Sequence, residues 1–137
     1  MNAVRELFRE YADWVGNAIC FGSFERELAG LPGSYSPILI AVDGDRLAGC
    51  VALRMLGDGI GEMKRLYVRP VFQGAGLGRT LVDRVIAKAR ASGCHALRLD
   101  TLPRMERAIS MYRGLGFREI PPYGDNPAEA ICFELNL

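Results

Sequence analysis

The chain has 137 residues, half of them hydrophobic, which suits a single domain (1–137) with a proper core and leaves no room for a second. Seventeen Lys and Arg nearly cancel sixteen Asp and Glu, which removes the electrostatic footprint of a general nucleic-acid binder. No stretch reads as a signal peptide or membrane span, so a cytoplasmic protein is expected. Cys20, Cys50, Cys94 and Cys132 form no C-x-x-C pair, have only His95 to join them, and read as small hydrophobes rather than metal ligands.

Val4, Leu7, Phe8, Tyr11, Trp14 and Val15 recur at three- and four-residue steps, the pattern of an amphipathic helix over residues 3–15. A short helix over 24–29 follows. Residues 31–37, with two prolines, a glycine and two serines, are expected to break all regular structure. Residues 38–42 and 46–56 read as antiparallel strands joined at Asp43-Gly44. After a turn at 57–61, residues 62–68 form a third strand that runs into Arg69-Pro70 and a glycine-rich loop. Leu81, Val82, Val85, Ile86 and Ala89 then share one face of a helix that stops at Gly93. Residues 96–100 are a strand, parallel to the third if the helix is a right-handed crossover. Pro103 suits the first turn of another helix with Met105, Ala108, Ile109, Tyr112 and Leu115 as its apolar face. Residues 117–120 and 130–137 close the chain as strands on either side of an irregular loop, 121–127.

The stretch Gln73-Gly74-Ala75-Gly76-Leu77-Gly78-Arg79-Thr80 carries the chemistry. Alternate glycines clear one face of the turn, so backbone N–H groups converge on an anion. The helix behind adds unpaired N–H donors and the positive end of its dipole. A turn that merely caps a strand is the bland alternative. A P-loop needs Lys-Ser/Thr after its last glycine and another glycine five positions earlier, where this chain has Arg79-Thr80 and Gln73. A dinucleotide fingerprint needs glycine at position 79, although Asp100 imitates its ribose-binding acid, and that reading stays open. The remaining pattern, Gln/Arg-x-x-Gly-x-Gly/Ala, is matched by Gln73, Gly76 and Gly78.

On this loop the chain resembles the GCN5-related N-acetyltransferase (GNAT) superfamily. Glu62-Met63-Lys64-Arg65-Leu66-Tyr67-Val68-Arg69-Pro70 is similar to the strand before the loop in these enzymes. Ala108-Ile109-Ser110-Met111-Tyr112-Arg113-Gly114-Leu115-Gly116-Phe117 is similar to their helix ending in Tyr-x-x-Leu-Gly-Phe, and the resemblance covers residues 38–137. It implies an α/β (α+β) fold: a mixed, mostly antiparallel sheet with a central splayed parallel pair and helices on both faces. The usual first strand is missing or shortened ahead of the first helix. Residues 38–42 would then be a sheet edge, open to a homodimer contact.

The resemblance further implies direct transfer of the acetyl group of acetyl-CoA to a primary amine within a ternary complex. Leu66, Tyr67 and Val68 would pair with the pantetheine arm, and their backbone donors would stabilise the negative oxygen that develops during transfer. Gln73, Gly74, Ala75, Gly76, Leu77, Gly78, Arg79 and Thr80 would hold the pyrophosphate, with the Arg79 guanidinium on its oxygens. Glu62 is the candidate base for the acceptor ammonium, against the plain reading of a solvated carboxylate at a strand end. Tyr112 is the candidate proton donor to the departing thiolate, its ring also packing in the core. Lys64 and Arg65 read as strand decoration, and His95 as a turn residue. The acceptor is expected between residues 24–37 and 121–127, where Glu25, Glu27, Tyr35, Tyr123 and Asp125 suit a small cationic amine. A protein or peptide acceptor, or a CoA-binding sensor without turnover, are the alternatives.

Overall fold

The apolar stripe of the N-terminal segment forms helix α1 (Asn2–Val15), which buries Val4, Leu7, Phe8 and Val15. The computed structural model describes residues 1–16, 21–124 and 126–137; Cys20 and Asp125, named above, lie outside the described residues. Helix α2 (Phe21–Ala29) follows, then strands β1 (Tyr35–Asp43), β2 (Arg46–Gly57) and β3 (Ile60–Val68). Helix α3 (Leu77–Ala91) leads to β4 (Ala96–Thr101), α4 (Glu106–Gly114), β5 (Arg118–Ile120) and β6 (Ile131–Asn136). The sheet is six-stranded in the order β1-β2-β3-β4-β6-β5, and β3 with β4 is its parallel pair among antiparallel neighbours.

Alternation along β2 separates two cores. Cys50 and Ala52 face α1 and α2 with Leu7, Phe8, Phe24 and Leu28. Val51 and Leu53 face α3 and α4 with Val82, Val85, Tyr112 and Phe133. Helices therefore cover both faces. β1 stands at one edge of the sheet, with Ile40 and Val42 exposed. Among the described residues no helix is long and apolar enough to cross a membrane.

Helix α2 begins three residues before the expected 24, and three boundaries that bear on the site also differ from the sequence reading. β1 begins at Tyr35 rather than 38, because Tyr35 pairs with Arg54 and buries its ring edge-on against Phe8 at 6.1 Å. Pro37 is tolerated there because the ladder is irregular between Tyr35 and Ile38 and the strand is an edge. β3 begins at Ile60, which puts Glu62 inside the strand, opposite Arg54 and Arg98. Pro103 lies ahead of α4, in a turn closed by the Met105 N–H donating to the Leu102 carbonyl at 2.9 Å.

β2 and β3 approach closely at Gly49, where an added Cβ would stand 2.5 Å from the Tyr67 carbonyl oxygen and 3.3 Å from Val68 Cα. Both close contacts are β3 backbone, which cannot rotate away. Gly49→Ala is expected to lower unfolding free energy by about 1–3 kcal/mol in a urea titration; an unchanged midpoint would contradict this close fit.

Candidate active site

The parallel ladder between β3 and β4 contains only Ile60↔Ala96, Gly61↔Leu97 and Glu62↔Arg98, although both strands continue beyond it. The cause lies in β3. Cys50 pairs with Tyr67 but Ala52 pairs with Lys64, so β3 carries one extra residue, and Arg65 takes a left-handed φ of 60°. A bulge of this kind bends its strand, while β4 stays paired with β6 over its whole length. The two strands part, and a cleft of about 1130 Å³ opens between Leu66, Tyr67 and Val68 on one wall and Leu99, Asp100 and Thr101 on the other. Past Glu62, the β3 edge that faces β4 has no strand partner and offers its backbone to the cleft.

At one end the cleft runs under the glycine loop. Gln73 Nε2 donates to the Val68 carbonyl at 2.9 Å, which fixes the loop to the end of β3. Gly74 and Gly76 take left-handed φ values of 87° and 84°, and a Cβ at either would meet no described atom within 4 Å. The bare face is thus open space. Gly76 is the N-cap of α3, with no side-chain cap and no acidic residue in the first turn, so the first N–H groups of the helix and its positive dipole end are uncompensated. This donor set fits a diphosphate. Gln73, Gly74, Gly76, Leu77, Gly78 and Arg79 line the cleft. Ala75 and Thr80 do not: Ala75 is exposed, and the Thr80 hydroxyl donates to the Gly76 carbonyl at 3.2 Å. Arg79 lies at the mouth, 3.4 Å from Asp83.

Tyr112 lines the same cleft from α4. It is 4% exposed, and its ring packs on Phe117 and Phe133 at centroid distances of 5.7 and 6.3 Å. Burial pushes its phenol above the ordinary tyrosine value, so the hydroxyl stays protonated at neutral pH. Glu62 is placed differently. It is 1% exposed and absent from the cleft wall; Arg54 Nε donates to its Oε1 at 2.7 Å, and the Tyr123 hydroxyl donates to its Oε2 at 2.5 Å. Burial and the bond to Glu62 keep the Tyr123 phenol protonated as well. Arg98 lies over the Tyr123 ring at 5.0 Å.

A family model described as Acetyltransferase (GNAT) family matches residues 1–117. This chain belongs to the GNAT acetyltransferase family. It is 36% identical to an uncharacterized N-acetyltransferase of Schizosaccharomyces pombe over 93% of this chain and 82% of that protein. A shorter match, 33% identical over 42% of this chain and 34% of the other, is to a thialysine N-epsilon-acetyltransferase of Bos taurus. Its fold superposes on an acetyltransferase from Streptococcus agalactiae with a TM-score of 0.80 at 20% identity, covering 97% of this chain and 91% of that one. Acetyl-CoA is accordingly the cosubstrate of this GNAT enzyme, and the glycine loop with its open strand edge fits it.

The far end of the GNAT cleft holds charges that sequence reasoning set aside as decoration. Arg65 donates to both carboxylate oxygens of Glu27, at 2.9 and 2.6 Å, and lies 5.6 Å from the ring centres of Tyr11 and Phe24. Lys64 Nζ lies 3.2 Å from Asp100 Oδ1. Two of the acids expected to meet a cationic acceptor, Glu25 and Glu27, are already paired. Glu27 is paired with Arg65, and Glu25 is paired with Arg9 outside the cleft at 2.9 Å. Tyr35 is buried in the core, and Tyr123 is turned to Glu62. Tyr11 and Trp14, which line this end, were legible only as positions on the apolar stripe of α1, and Arg104, which lines it too, carried no signal in the sequence.

Arg69 ties α1 to the end of β3, just before the loop. Its guanidinium donates to Glu10 at 3.0 and 2.6 Å and to Glu6, and the Tyr67 hydroxyl also donates to Glu10, at 3.2 Å. The Arg69 bonds hold the Glu10 carboxyl below its usual value of 4.5. A depressed carboxyl contributes stability that is full above its unfolded value and is lost as pH falls through the folded one. Melting temperature is therefore expected to fall more steeply on acidification from about pH 5 for the wild type than for Glu10→Gln; parallel curves would contradict the linkage.

Proposed function

We propose that residues 1–137 act as one domain that transfers the acetyl group of acetyl-CoA to the primary amine of a small molecule by direct attack in a ternary complex. The observation that carries this reading is the continuity of the cleft from the glycine loop, past Tyr112, to the space beside α1 and α2. Both substrates fit one cavity. The relative named for thialysine is an enzyme of a small amine, which supports a small acceptor here. Among the described residues no cysteine lines the cleft, and burial pushes the Cys50 thiol up to about 12, which argues against an acetyl-cysteine intermediate. Cys50, Cys94 and Cys132 are free and buried, in keeping with a cytoplasmic enzyme.

When bound, acetyl-CoA supplies an acyl carbon open to attack by an amine. The backbone of Leu66, Tyr67 and Val68 pairs with the pantetheine amides and presents donors to the developing negative oxygen. Gln73, Gly74, Gly76, Leu77, Gly78 and Arg79 hold the pyrophosphate, with Ala75 and Thr80 shaping the turn. Tyr112 gives its proton to the departing sulfur. Glu62 receives the acceptor proton through the Tyr123 hydroxyl and water rather than by contact, as its burial behind that hydroxyl requires. Glu62→Gln is expected to lower kcat/KM about 100-fold with little change in the KM for acetyl-CoA; wild-type rates across pH would remove the role.

The test of the overall reading is release of CoA thiol from acetyl-CoA by a panel of amines, with initial rates measured while both substrates are varied. Intersecting double-reciprocal lines are expected. Parallel lines would show a covalent enzyme intermediate and contradict direct attack.

A further inference from the structure

Two cations that line the cleft, Arg104 and Arg107, have no carboxylate partner among the described residues, and Arg104 is the one anchored against α1. Arg104 lies just past β4 and lines the cleft, and its Nη2 donates to the carbonyl oxygens of Trp14, at 3.1 Å, and Val15. Those carbonyls close the C-terminus of α1, so the contact explains how the side chain is held in place. It engages only one of three guanidinium nitrogens. Neighbouring Arg65 and Lys64 are answered by Glu27 and Asp100, and no described Asp or Glu oxygen lies within 4 Å of Arg104.

The wall beside Arg104 is aromatic. Trp14, whose carbonyl Arg104 holds, is 42% exposed although it lines the cleft, and its ring stands 5.6 Å from Tyr67 and 6.4 Å from Tyr11. A large ring left open beside an unanswered guanidinium calls for a ligand with a flat apolar group and a planar anion. We infer that the acceptor is an aromatic amino acid. Its carboxylate pairs with the fork of Arg104, its ring covers Trp14, and its amine is directed toward Tyr112. This rests on the acetyl-transfer reading above. The amine nitrogen bonds to the acetyl carbon and the carbon–sulfur bond breaks with its electron pair on sulfur. The ammonium loses one proton toward Glu62 before it attacks and a second after, and sulfur takes the Tyr112 proton. One of the released protons returns to Tyr112 through solvent while the other leaves to it, and the products are an N-acetyl amino acid and CoA.

Matched pairs test it: phenylalanine against phenethylamine and tryptophan against tryptamine, with lysine, spermidine, glucosamine 6-phosphate and a short peptide as other acceptors. Wild-type kcat/KM is expected to favour each acid over its decarboxylated amine by about tenfold or more, the scale of a charge-assisted bond. Arg104→Gln should bring that ratio within about threefold of unity through a higher KM for the acid. Arg104→Lys, which keeps the charge without the fork, should fall between, and serves if the glutamine variant does not fold. Preference for the decarboxylated amines, or an unchanged ratio in the Arg104 variants, would overturn the inference. Transfer to the other acceptors and not to aromatic acids would overturn it while upholding acetyl transfer. Transfer to none of them, with acetyl-CoA still bound, would count against both.

Discussion

Gly76→Asp is expected to weaken acetyl-CoA binding by at least about 100-fold, because it places a carboxylate where the backbone donors of the loop converge. At an effective dielectric of about 20, two negative charges some 5 Å apart repel by roughly 3 kcal/mol, and a pyrophosphate presents more than one. Gly76→Ala separates charge from conformation. Its Cβ would meet no described atom within 4 Å, so only the left-handed φ of 84° opposes it, at about 1–2 kcal/mol of folding stability. Calorimetric titration with acetyl-CoA on both variants is the measurement. An aspartate variant that binds within about threefold of the alanine variant would mean that the phosphates lie elsewhere.

Tyr112→Phe is expected to lower kcat by about 100-fold to 1000-fold, the range of a general acid, while the KM for acetyl-CoA stays within about twofold. The variant isolates the hydroxyl. The ring keeps its packing against Phe117 and Phe133, so thermal stability should scarcely change. A purely structural tyrosine would show the reverse, with turnover intact and any loss confined to stability. The raised phenol also means that Tyr112 remains a proton donor up to at least the ordinary tyrosine value of about 10, so no alkaline loss of activity below that pH belongs to it.

The helices, the β1–β2 hairpin and the crossover from β3 to β4 were legible because each is written in a short window: apolar stripes on α1 and α3, Asp43-Gly44 at the turn, glycines around the loop. Tyr112 was legible as a packing residue for the same reason, and as a cleft residue through the family resemblance. The opening of the sheet was expected from the family resemblance alone, and no local residue pattern gave its cause. It depends on an arginine, Arg65, held at a positive φ, a conformation no composition signals for that residue type. The charges of the cleft were also hidden, since their partners are distant in the chain. Arg65 meets Glu27 across 38 residues, Lys64 meets Asp100 across 36, and Tyr123 closes over Glu62 across 61. Local periodicity carries no information about such pairs, so Lys64 and Arg65, read as decoration, became cleft wall, and Glu62, read as the candidate base, was found buried behind Tyr123.

The account stands on the glycine loop and the open edge of β3 forming a site for acetyl-CoA. The most direct measurement is the melting temperature with acetyl-CoA, CoA or NAD each in excess, since a ligand at 100 times its dissociation constant adds about 2.7 kcal/mol. Stabilisation by acetyl-CoA and CoA, with none from NAD, is the expected result. Stabilisation by NAD alone would contradict the account and return the loop to the dinucleotide reading.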